Sequence, residues 1–172
     1  MNETTARLAA AVHFVIHETS GQDLGKTKLN KILWFADCDA YRRHGETVTG
    51  LASYVKLQYG PVPNGIDLVI RDLIADGSIE QDSHQVGTYI RHGYNSLAAP
   101  GDTNCLSERC KQVLQNVIEA VRPLTAFEVS EISHDALWEE TPHGGEIPVA
   151  AAASQPVTPD QRIMEWAQRE TG

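Results

Sequence analysis

Leu106, Cys110, Val113, Leu114, Val117, Ile118 and Val121 return at three- and four-residue steps. That period lays one apolar stripe along an α-helix, and such a stripe must be buried against another layer. The same period runs from Thr5 to about Glu18 through Leu8, Val12, Val15, Ile16 and Thr19. It appears again from Thr27 to about Arg43 through Leu29, Ile32, Leu33, Ala36 and Ala40, widened by Trp34 and Phe35 and closed by Gly45. A further helix is expected over Ile66 to Asp76, with Gly77 at its C-terminal cap. Thr125-Ala126-Phe127-Glu128 has the form of a capping box, with Leu124 and Val129 placed to staple it. Ser133 to Glu140 reads as one more helical turn.

Between these helices lie short segments of strand type. Ser53 to Gly60 (SYVKLQYG) is rich in β-branched and aromatic residues, and Gly60-Pro61-Val62-Pro63-Asn64-Gly65 breaks it. SIEQ and VGTYIRH read as two strands joined by a turn through Asp82, Ser83 and His84, followed by a loop from Asn95 to Asn104. The expectation is an α+β fold, predominantly helical, with five to seven helices and a small antiparallel sheet or hairpin. The order in the first half is winged-helix-like. Residues 1–148 form the domain, 149–157 an Ala/Pro-rich linker or loosely packed arm, and 158–172 a C-terminal helix opened by Thr158-Pro159-Asp160-Gln161.

With 172 residues the chain suffices for one domain with a real core. Its apolar N-terminal run is interrupted by His13 and His17 and lacks a basic start, so neither a secretory signal nor a membrane span is expected. Cys38, Cys105 and Cys110 have no framework spacing and read as reduced thiols of a cytoplasmic protein. Net charge is -9, with seven Lys/Arg against six Asp/Glu over residues 1–60 and seven against seventeen over 61–172. That balance argues against binding nucleic acid by bulk charge. Lys26, Lys28, Lys31, Arg42 and Arg43 read as a solvated helix face.

Several motifs invite chemistry and fail on spacing. Gly21 to Thr27 (GQDLGKT) resembles a phosphate-binding loop, but three residues instead of four separate its glycines, and a helix instead of a strand precedes it. His13 and His17 share a helix face without the Glu or the further ligands of a zinc site. Cys110 falls on an apolar stripe. His134-Asp135 lacks a nucleophile motif to complete a triad. No catalytic residue, metal site or cofactor is expected. A DNA-binding winged helix remains as the alternative reading, although its recognition helix, Ile66 to Asp76, offers Arg71 alone among three aspartates. A hydrolase with His134 as its reactive group is the other.

Two longer stretches carry more information. Thr27 to Gly45 (TKLNKILWFADCDAYRRHG) and Gly50 to Glu80 (GLASYVKLQYGPVPNGIDLVIRDLIADGSIE) resemble the Panacea, or SocA-like, antitoxin domain. The matching positions are Thr27, Lys28, Leu29 and Lys31, then Tyr59, Gly60, Pro61 and Val62, then Leu73, Gly77 and Ile79. Ser133, His134 and Trp138 occupy a later S-H-x-x-x-W stretch, and the likeness spans about Leu8 to Ile147. On it, Gly25-Lys26-Thr27 is the turn into the signature helix. The resemblance implies a non-enzymatic antitoxin that binds a cognate toxin from an adjacent gene and forms a complex with it. It also implies, for some members, delivery of the toxin to a ClpXP-type protease. Lys28, Lys31, Tyr59, Pro61, His134 and Trp138 become the candidate partner-binding residues. Thr27, Leu29, Gly60, Val62, Leu73 and Gly77 become the structural signature.

Overall fold

The computed structural model describes residues 2–20, 24–101 and 104–154, with positions 163 and 168. Gly21 and the expected terminal helix, those two positions apart, lie outside the described residues. The chain runs α1 (Glu3–Glu18), α2 (Lys26–His44), β1 (Ser53–Leu57), β2 (Gly60–Pro63), α3 (Ile66–Ala75), β3 (Ile79–Val86) and β4 (Tyr89–Ser96). It continues through α4 (Glu108–Val121), α5 (Ala126–Ser133), α6 (Ala136–Glu140), β5 (Glu146–Pro148) and α7 (Val149–Ala153). The fold is α+β and predominantly helical. No described helix is long and apolar enough to cross a membrane.

Helix α2 is the axis of the molecule. It packs against α1, α4, α5, α7 and β2, so it is covered on nearly every side. Leu29, Ile32, Leu33, Trp34, Phe35, Ala36 and Ala40 are buried, and so are Asn30, Lys31, Asp37 and Asp39. Over positions 29–37 the helix is buried all round and has no solvated face to receive its polar residues. The solvated basic face expected of this segment therefore fails at Lys31. Each fully buried leucine here contributes about 1.5–3 kcal/mol, while each buried polar group must find a partner or lower stability.

Asp37 meets that requirement. Its carboxylate accepts the Thr49 backbone N–H at 3.0 Å, the Thr49 hydroxyl at 2.5 Å and the Tyr54 hydroxyl at 2.7 Å. Burial pushes its pKa up to about 6, against the pull of those hydrogen bonds. Tyr54 is wholly buried, its phenol held well above the ordinary value by burial and by the Asp37 charge. Its ring meets Trp34 edge to face, with centroids 5.0 Å apart. This network ties α2 to the start of the first sheet.

That sheet is antiparallel, in the order β2-β1-β5. Gly60–Pro63, expected as a break, is strand β2, registered so that Pro61 faces Lys56 and Pro63 faces Tyr54. Two prolines fit there because β2 lies at the sheet's edge, where a missing N–H removes no ladder bond. The second sheet is the β3–β4 hairpin. Its strands run through the expected turn at Asp82 to His84, and Val86 pairs with Tyr89 across Gly87-Thr88. Gly87 has φ +61°, which suits the first central position of a two-residue hairpin turn. The strand-helix-hairpin order is winged-helix-like, but β1 pairs with β2 and β5 and not with the hairpin. In α3, Lys26 bonds Asp67 and Arg71 reaches Asp72.

Thr125 caps α5, its Oγ1 accepting the Glu128 N–H at 3.1 Å, which is the N-cap half of the expected capping box. Leu73 and Gly77 close α3, with the Ser78 N–H on the Leu73 carbonyl at 3.0 Å and the Gly77 N–H on Ile74 at 3.2 Å. Val149–Ala153, expected as linker, is instead helix α7, with Val149, Ala152 and Ala153 buried and packed on α2. Low complexity concealed the pattern because alanine is both a strong helix former and small enough to fit a tight interhelical space.

Candidate functional site

Five of the six candidate partner-binding residues converge where β1 turns into β2. The turn at Gln58-Tyr59 is held from beneath by three side chains from two different parts of the chain. Lys31, from the middle of α2, donates to the Pro61 carbonyl at 3.3 Å. His134, just past α5, hydrogen-bonds the Tyr59 backbone. Ser133 donates to Ser130 at 2.7 Å and presses against Gly60. Gly60 has φ +121°, and a Cβ there would lie 2.7 Å from both Lys31 Cε and Ser133 Oγ. Glycine is thus required twice, by the backbone angle and by the neighbours. Val62 packs on the core from the next turn of the strand.

Trp138, carried by α6, forms the wall. Asp135 opens that helix by accepting the Trp138 backbone N–H at 2.9 Å. The His134 imidazole stacks on the indole with centroids 3.7 Å apart and planes 10° from parallel. Lys56 Nζ lies 3.8 Å from the same ring centre and donates to the Trp138 carbonyl at 2.6 Å. Two groups this close to one centroid occupy opposite faces, so Trp138 is sandwiched between imidazole and ammonium. Cation–π attraction stabilises one side by about 0.5–2 kcal/mol.

Electrostatics set this cluster apart from the rest of the interior. Lys31 is only 1 % exposed, and burial lowers its pKa to about 7. Among the described residues no carboxylate pairs with it. The His134 pKa is lowered by burial and by Lys31, against Glu131, Glu139 and the Tyr59 backbone bond, which raise it. His134 Nε2 and Trp138 Nε1 are buried without a hydrogen-bond partner among the described residues, Asn30 Oδ1 being the third such atom. Tyr59 is 60 % exposed above the turn.

The other residues singled out from the sequence differ in where they lie. Pro61 is buried, as Lys31 is, so both act from below the surface. Lys28 stands apart, reaching the Arg122 carbonyl beside the end of α4 at 3.4 Å. Leu29 is fully buried, and Thr27 sits in the first turn of α2. Gly25 is the N-cap of α2 and bridges to Gly93. The His pair serves the scaffold: His13 Nε2 lies 2.9 Å from the Ala98 carbonyl and His17 Nδ1 3.1 Å from Ser96 Oγ. Among the described residues no His/Cys/Asp/Glu trio could hold a metal, and Cys38, Cys105 and Cys110 form no disulfide. Sequence reasoning missed Lys56. Lys56 lies two residues after buried Tyr54, on the same face of β1, and nothing local signals the tryptophan that covers it from a distant helix.

These features define an α+β domain in which Lys31, Gly60, Ser133 and His134 gather at one turn, with Trp138 stacked beside it. The chain belongs to the SocA-like antitoxin family: the family model described as "Antitoxin SocA-like, Panacea domain" matches residues 29–139. That span contains the clamp from Lys31 to Trp138. Comparison with curated proteins and with solved structures returned no match.

Proposed function

We propose that this protein is an antitoxin that neutralises a cognate toxin, the product of an adjacent gene, by direct contact and without chemistry of its own. The observation that carries the reading is the Tyr59 turn. An aromatic ring stands exposed on a backbone fixed by Lys31, Gly60, His134 and Ser133. Tyrosine supplies a large contact area at a low entropic cost, and a fixed turn has little conformational freedom left to lose on binding. Phe127, 71 % exposed on α5, is a second apolar anchor, and α5 packs against β2.

In this reading Lys31, Pro61, His134 and Trp138 shape the contact and Tyr59 makes it. An acidic surface favours a basic partner by complementarity. The complex forms in the cytoplasm. Some of its toxin is handed to a ClpXP-type protease, which sets antitoxins that degrade their target apart from those that only block it.

The test is induction of each neighbouring open reading frame, alone and with this chain, followed by co-purification and a toxin half-life measurement. Growth arrest relieved by this chain, with both proteins eluting together, is expected. Relief without a complex would replace contact by repression or enzymatic reversal. A toxin half-life that does not shorten would remove the protease from the scheme.

A further inference from the structure

The clamp beneath Tyr59 holds polar atoms whose hydrogen-bonding capacity is not used. Lys31 carries up to three N–H groups and meets one carbonyl, at the long distance of 3.3 Å. Trp138 Nε1 can only donate, and it has no partner among the described residues. His134 Nε2 adds a second unpartnered ring nitrogen from the stacked imidazole. Lys56 holds the outer face of the same indole. Two of the three unsatisfied buried side-chain atoms among the described residues thus belong to two rings in contact, next to a buried amine. Buried polar groups in folded proteins are nearly always satisfied, so a cluster of orphans needs its own explanation.

The Asp37 network shows that this interior can satisfy a buried ionisable group fully. The deficit at Lys31 is therefore local.

We propose that the Lys31–His134–Trp138 cluster is an oxyanion site, taking one carboxylate or phosphate group onto the Lys31 amine and the Trp138 N–H, with His134 Nε2 joining them when the imidazole is protonated. The chemistry follows from the donor set. An oxyanion offers lone pairs to the Trp138 N–H, which has no acceptor, and to the Lys31 amine, which has one distant acceptor, and charge-assisted hydrogen bonds are the strong ones. Lys56 adds a second positive charge. Glu131 and Glu139 lie near the imidazole and oppose an anion, but neither is bonded to Lys31, and Glu139 is exposed. His134 and Trp138 are themselves only half-buried, so the donors lie one side chain below the surface. The group can come from an acidic side chain or C-terminus of a protein partner, or from a free small anion. The inference stands apart from the toxin-binding reading, because the donors are there whatever the partner.

The full chain, labelled with nitrogen-15, provides the readout. It has three tryptophans, and the Trp138 indole N–H resonance is the one lost in Trp138→Phe. Titration with acetate and with inorganic phosphate, against chloride at matched ionic strength, should move that resonance downfield in a saturable way. Lys31→Met should weaken the effect by about tenfold or more. His134→Gln serves as a second variant should Lys31→Met fail to fold. A shift with a free anion assigns the site to a small molecule. A shift seen only in the co-purified complex, in anion-free buffer, assigns it to the partner's carboxylate. No saturable shift in either setting overturns the site, and so does a shift that Lys31→Met or His134→Gln leaves unchanged.

Discussion

Lys31 and Asp37 sit six positions apart on the same buried helix, and their surroundings are opposite. Asp37 is wholly enclosed and takes three hydrogen bonds from Thr49 and Tyr54. Lys31 is almost as deeply enclosed and has one long bond to a carbonyl. The first arrangement is saturated and joins α2 to the β1 end of the sheet, so its role is to hold the fold. The second is under-satisfied and joins α2 to an exposed turn, so the fold gains little from it. Buried charge that costs stability is retained where it does something else. The contrast separates a structural use of buried charge from a functional one within a single helix.

The sharpest way to break the contrast is at Asp37. Asp37→Ala leaves the Tyr54 hydroxyl and both Thr49 donors unpaired in the interior, and should destabilise the protein by about 3–5 kcal/mol in urea unfolding. A loss under about 1 kcal/mol would mean the network is ornamental.

Lys31→Met should go the other way, leaving stability at pH 7 within about 1 kcal/mol of the parent or raising it. The pH dependence gives a second reading. The folded pKa of Lys31 is about 7, against 10.5 in the unfolded chain. Between those values the unfolded state binds more protons, so stability should rise with pH across that window. Lys31→Met should flatten the rise. Asp37 has the reverse sign. Its pKa is raised from 3.8 to about 6, so the folded state holds the extra proton and stability should fall as pH climbs through that interval, then level off. Asp37→Asn should remove the fall, as urea midpoints taken at successive pH values would show.

The smallest stability effect belongs to Tyr59. Tyr59→Ala should change unfolding free energy by no more than about 0.5 kcal/mol, yet weaken toxin binding by about tenfold or more. Calorimetry on the purified pair checks the second number and urea unfolding the first. Equal binding by variant and parent would move the contact away from the turn.

Much of this was readable along the chain. The stripes at Leu8 to Ile16 and Leu106 to Val121 placed α1 and α4, because a one-sided helix writes its burial in its period. The capping box at Thr125 to Glu128 placed α5, since its hydrogen bonds join near neighbours. Of the residues matched to the family, Lys31, Gly60, Pro61, Ser133, His134 and Trp138 gather around the Tyr59 turn, whereas Thr27, Lys28, Leu73 and Gly77 lie elsewhere. The failures have one cause in common. Treating α2 as one-sided put Lys31 on a solvated face, whereas the helix has no such face over positions 29–37. Asp37, spaced four after Leu33 and three before Ala40, sat on the apolar stripe itself, a signal that was present and not used. The edge prolines of β2 and the alanines of α7 misled because their local preferences admit more than one structure, and only the neighbours choose.

By itself the sequence determined helices α1 to α6, several of their caps, the family and the set of side chains available for a site, because these depend on residues within a turn or two of one another. Tertiary structure alone decided that α2 is enclosed, that Lys56 and His134 flank one indole, and that Lys31 faces a carbonyl instead of a carboxylate. Those outcomes depend on contacts between segments about a hundred positions apart, as from Lys31 to His134, and burial turns them into energy by removing the water that would otherwise equalise every partner.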